Sequence, residues 1–111
     1  MKAHVAALAR DYRRLLEDEF GPRLVSVVVF GSQARGDADE DSDLDIAVVV
    51  RDLTWPERGR AIDLAVAAWA DAGSMSHPFI SALVWSEQEL QHHRDRELRI
   101  ASDIEEEGIP V

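Results

Sequence analysis

Cysteine is absent from the 111 residues, which excludes disulfides, thiolate metal sites and cysteine nucleophiles. No apolar run approaches the roughly 18 residues of a membrane span. The opening stretch from Met1 to Asp11 lacks the apolar core of a secretion signal, so the expectation is a cytoplasmic protein with no membrane partner. Basic charge is also short: 12 lysines and arginines face 22 acids, a formal net charge of −10. That balance repels phosphate backbones at long range and argues against long nucleic acid as a partner. Internal repeats and low-complexity linkers are missing too. A chain of this length reads as one domain over residues 1–111, able to bury about 65% of its unfolded surface.

What is present is concentrated in one stretch. An apolar run ends in Phe30-Gly31-Ser32-Gln33-Ala34-Arg35-Gly36, and after an acidic loop a second run opens with Ser42-Asp43-Leu44-Asp45. In an extended strand side chains alternate between faces, so Asp43 and Asp45 share one, about 7 Å apart along the chain. Both can reach one ion, and Mg²⁺ is commonly held by one or two carboxylates together with substrate phosphates. Gly31 allows a phosphate close to the backbone, Ser32 adds a hydroxyl donor, and a helix starting there offers free N–H groups to an anion. Arg35 lies one turn along, within reach of a phosphate or of the acidic loop. Each part alone is a weak signal, since acidic runs usually face water and Gly-Ser turns are common. Their combination pairs phosphate donors with metal carboxylates in one strand-turn-strand unit.

Around that unit the pattern alternates. Val5, Leu8, Tyr12, Leu15 and Leu16 recur at helical spacing until Gly21-Pro22. Leu24 to Phe30 suits a buried strand, and Leu44, Ile46, Val48 and Val50 form the inner face of the next. Thr54, Pro56 and Glu57 predict a capped helix whose apolar stripe is Ile62, Ala65, Val66 and Trp69, with Trp55 and Trp69 as packing residues. A third strand over residues 78–85 precedes a second capping box, Ser86 with Glu89. Leu90, Leu98, Ala101 and Ile104 then mark a helical tail running to about Gly108. Its polar face carries His92 and His93, which as sequence neighbours share no helix face and make a poor metal pair. The order predicts an α/β domain with a sheet of three or slightly more strands flanked by helices.

Gly31-Ser32-Gln33-Ala34-Arg35-Gly36 and Ser42-Asp43-Leu44-Asp45 resemble the signature of the DNA polymerase β-like nucleotidyltransferase superfamily, and the chain is similar to its minimal members over nearly its whole length. A closing segment, Ile104-Glu105-Glu106-Glu107-Gly108-Ile109-Pro110, adds to the likeness. The resemblance implies a nucleotidyltransferase-type small mixed sheet. It also implies a triphosphate bound by Gly31 and Ser32, with Arg35 and Ser42 in the same nucleotide-binding set. Asp43 and Asp45 would be the catalytic carboxylates holding Mg²⁺ or Mn²⁺, with ATP or another NTP as substrate. Active relatives add a third carboxylate from a following strand, whereas residues 78–85 contain none. His77, Phe79, Ser81 and Leu83 share one face of that strand, and His77 before Pro78 reads as structural. Asp63 and Asp71 belong to a helix, and nothing in the spacing aims them at the site.

Two functions remain open on these residues. One is transfer of AMP or another NMP to a hydroxyl of a protein or small molecule. The other is an antitoxin-like module that neutralises a HEPN-type toxin by binding it, a role that tolerates the missing acid. A minimal chain without a second domain would take its acceptor specificity from such a protein partner or from self-association.

Overall fold

The computed structural model describes residues 1–111. Helix α1, Ala3–Phe20, buries Val5, Leu8, Tyr12, Leu16 and Phe20 along one face. It stops at Gly21, whose positive φ of 55° turns the chain into the short 3₁₀ turn Gly21–Arg23. Strand β1, Leu24–Phe30, leads into the one-turn helix α2, Gly31–Arg35, and strand β2, Leu44–Val50, returns antiparallel to it. Helix α3, Trp55–Asp71, crosses back to strand β3, Ile80–Ser86, which lies parallel to β2. Helices α4, Glu87–Asp95, and α5, Arg99–Glu107, follow, and strand β4, Ile109–Pro110, pairs antiparallel with β1 at Val29 and Val28. The sheet order is β3-β2-β1-β4, so the expected mixed sheet is present with one more strand than the pattern marks.

The alternation of β2 sets the two layers. Leu44, Ile46, Val48 and Val50 face α1 and α3 in the main core, as expected. Ala47 turns to the opposite face, where it meets Trp85 and Ile104, with Leu90 packed against them. Both capping boxes form: Thr54 with Glu57 starts α3, and Ser86 with Glu89 starts α4.

Three expectations need correction. The buried stripe of α3 is Ala61, Ala65 and Ala68, while Ile62 and Val66 are 43% and 42% exposed. Small residues let α3 approach α1 closely enough for the Tyr12 hydroxyl to donate to the Ala61 carbonyl at 2.7 Å. Trp55 is not a packing residue: it is 80% exposed, with the Arg58 guanidinium 5.4 Å from its ring. Trp69 does pack, edge-on to Phe79, and donates to the His77 carbonyl at 3.2 Å. The tail is two helices, broken at residues 96–98 where Glu97 takes a φ of 54°. That break folds α5 back against the sheet and tucks His93 against Trp85 at 4.4 Å between ring centroids.

One ion pair ties three elements together. Glu57 accepts from Arg23 Nη1 at 2.7 Å and Nη2 at 2.8 Å, and Arg23 also donates to the carbonyls of Arg51 and Asp52. The bidentate arginine, then the Thr54 backbone N–H, hold the Glu57 carboxyl down at about 2 against an ordinary 4.5. A lowered folded-state pKa gives stability that is complete above the unfolded value and is lost as pH falls through the folded one. The pair's contribution to the melting temperature should therefore be lost as pH falls between about 4.5 and 2. Glu57→Gln should melt lower at neutral pH and show a shallower slope in that window, read by circular dichroism.

Candidate functional site

The site begins where β1 ends. Gly31 takes a φ of +72°, open to glycine and strained for other residues, and turns the chain into α2. A Cβ on Gly31 would lie 2.5 Å from Oδ2 of Asp45, so only glycine leaves room for that carboxylate against the turn. The cause is strand register: in the antiparallel pair Phe30 lies opposite Asp45, which delivers the acid to Gly31, the residue that follows β1. Gly36, with a φ of 82°, closes α2 by donating to the Ser32 carbonyl at 3.0 Å.

The acidic loop is held by its own side chains. Asp39 N–H donates to Ser42 Oγ at 3.0 Å, Ser42 Oγ donates to Asp39 Oδ1 at 3.1 Å, and Asp41 N–H donates to the same oxygen at 2.9 Å. Leu44 N–H then donates to the Phe79 carbonyl at 2.8 Å and starts β2. Ser42 thus closes the loop that presents Asp43, its hydroxyl engaged by Asp39.

Asp43 is exposed and Asp45 half-buried, on the sheet face opposite Leu44 and Ile46. Burial, then the charge of Asp43, push the Asp45 carboxyl above the ordinary carboxylate range, and Arg35 pulls it partly back. The structure therefore brings Gly31, Asp43, Asp45 and the Arg35 charge together. The Arg35 guanidinium donates from Nε to Asp37 and from Nη1 to Glu107, each at 3.3 Å. Sequence reasoning did not place Glu107 here. It lies 72 residues from Arg35, and only the return of the chain along β1 joins them.

Register also sets what stands beside Asp45. Ser81 is the partner of Asp45 in the parallel β2-β3 pair and projects from the same face. Asp63 and Asp71 sit on α3, which packs against the other face. No group of three or more histidines, aspartates or glutamates suited to a metal ion forms. A groove of about 890 Å³ is lined by the acidic loop from Ala38 to Ser42, with His4, Gln33 and His77 in its wall. Ser32, Asp43 and Asp45 line no part of it.

Comparison with known proteins bears on family and fold. The model of the family described as Nucleotidyltransferase domain matches residues 9–108. Two proteins of Methanocaldococcus jannaschii, provisionally named protein adenylyltransferases, are 31% and 29% identical over 62 residues each. The matches cover 55% and 56% of this chain, and 63% and 60% of those proteins, so it spans less than two thirds of their length. A solved structure described provisionally as a minimal nucleotidyltransferase is 28% identical and superposes with a TM-score of 0.60 over 99% of this chain and 97% of its own. A toxin-antitoxin structure with AMP-PNP shares the fold, at 21% identity and a TM-score of 0.58 over 89% of this chain and 68% of its own.

Two adjacent acids, one half-buried, repel each other when both are ionised. A raised folded-state pKa means stability lost as pH rises through it, so at neutral pH the pair costs stability that a cation would restore. Asp45→Asn should raise the melting temperature without metal and abolish any rise on adding Mg²⁺. A thermal melt of both proteins with and without Mg²⁺ checks this, and an unchanged Mg²⁺ response in the variant would contradict the ligand assignment.

Proposed function

This chain belongs to the nucleotidyltransferase domain family, and from that membership we propose that it binds a nucleoside triphosphate and transfers the monophosphate, AMP in the leading case, to a hydroxyl. The observation that carries the reading is the Asp45 carboxylate lodged against the Gly31 turn, which brings metal-type ligands beside a phosphate-type loop. Asp43 and Asp45 would hold Mg²⁺ or Mn²⁺, and the raised pKa of Asp45 fits a pair built to share a cation. When bound, that ion supplies charge neutralisation on the triphosphate. Gly31 gives the phosphates access to the backbone, Ser32 donates its hydroxyl, and Arg35 turns its guanidinium toward them. In the transfer the acceptor oxygen bonds to the α-phosphorus and the bond to pyrophosphate breaks. Such a displacement depends on positioning and charge more than on covalent chemistry.

A second reading rests on Ser81. The residue beside Asp45 on the same face is a hydroxyl, leaving no carboxylate there to take the acceptor's proton. A module that binds nucleotide and covers a HEPN-type partner needs no such group. In this reading the chain acts in the cytoplasm, bound to that partner.

Incubation with labelled ATP and Mg²⁺, with and without a candidate partner protein, followed by intact mass measurement, separates the two. Transfer predicts a gain of one AMP on either protein, lost in the Asp43→Asn/Asp45→Asn double variant. Binding alone predicts saturable ATP affinity with no mass change. Ser81→Asp should raise the transfer rate by about a hundredfold or more, the scale of a placed general base. Transfer by the parent chain at a rate that Ser81→Asp leaves unchanged would show that no third acid is needed.

A further inference from the structure

Arg35 is the sole basic residue between Phe30 and Val50, a stretch that carries six acids. Two carboxylates claim it: Asp37 from the adjoining loop and Glu107 from the last turn of α5. Glu107 is the less expected of the two. It ends a helix whose last turn holds Glu105, Glu106 and Glu107 and no basic residue, where the helix dipole disfavours negative charge. Pairing with Arg35 offsets that cost.

The backbone at Glu107 is also fixed. Gly108 has no room for a Cβ between the Ile104 carbonyl and the Val28 side chain. Ile109 and Pro110 pair with β1, and Val111 N–H donates to the Val27 carbonyl at 2.9 Å. The carboxylate is therefore anchored to the strand from which α2 and Arg35 spring.

We propose that Glu107 competes with the triphosphate for Arg35 and thereby sets nucleotide affinity. This rests on the nucleotide-binding reading above. A guanidinium has five donors in a fixed plane, and turning that plane toward a polyphosphate breaks the contact with Glu107. By linkage, phosphate binding then weakens the hold of Arg35 on the end of α5 to the same degree. Glu107 is a positioning residue in this scheme, acting through Arg35 and touching no substrate.

Titration calorimetry with Mg²⁺-ATP, and separately with inorganic triphosphate, tests it. Glu107→Gln should tighten both ligands by about two- to fivefold, the scale of a half-exposed ion pair. Glu107→Asp should stay within twofold of the parent. Glu106→Gln makes the same charge change on a side chain that contacts Ser102, and should have little effect. In an Arg35→Ala background Glu107→Gln should change nothing. Unchanged or weaker binding by Glu107→Gln, an equal gain from Glu106→Gln, or a gain that persists without Arg35 would each overturn the proposal. Failure of the parent chain to bind either ligand would overturn the nucleotide reading itself.

Discussion

The contact between the Asp45 carboxylate and the Gly31 turn depends on one register, Phe30 opposite Asp45, and much of the molecule serves to hold that register. A slip of one residue between β1 and β2 would move Asp45 from the open face into the core and bring Leu44 out. Leu44, Ile46, Val48 and Val50 resist the slip because all four are fully buried against α1 and α3. The hydrophobic alternation that folds β2 is thus the same device that aims its acids. Arg23, bound to Glu57 and to the carbonyls of Arg51 and Asp52, fastens the far end of the pair.

Much of this was legible in the residues because it rests on local chemistry. The period of two in β2, the Thr54-Glu57 and Ser86-Glu89 capping boxes and the Gly-Ser turn are each set by neighbours within a few positions. The departures from the sequence pattern share a different cause. Hydrophobicity favours Ile62 and Val66 on the α3 stripe, whereas the close approach of Tyr12 selects alanines. Trp55 is the first residue of α3 and stays 80% exposed, with Arg58 over its ring. Strand β4 is two residues long and contains a proline, too little pattern to mark a strand before the chain is seen against β1. At the site, Gly31, Asp43 and Asp45 were legible and Glu107 was not, because its partner is fixed by topology.

The electrostatics of the site follow a gradient of commitment. Asp39 is spent on the loop, holding Ser42 and the Asp41 backbone. Asp37 is spent on Arg35. Asp43 and Asp45 remain uncommitted to any protein donor, and their mutual repulsion is left standing beside a single arginine. An acid pair left unpaired at the mouth of a fixed turn fits a ligand that brings its own cations.

The outer edge of β3 has a bearing on how crowded solutions of this chain behave. Arg58 Nε donates to the Val84 carbonyl at 3.1 Å, and the Ser86 N–H is held by Glu89. On the same outward parity only Ile80 and Ala82 keep both backbone groups open, since Phe79 turns its carbonyl inward to Leu44. Templated growth of fibrils usually recruits runs of about six residues. Two open rungs fall well short of such a run, so an arginine from the neighbouring helix shields this edge of the sheet from strand addition.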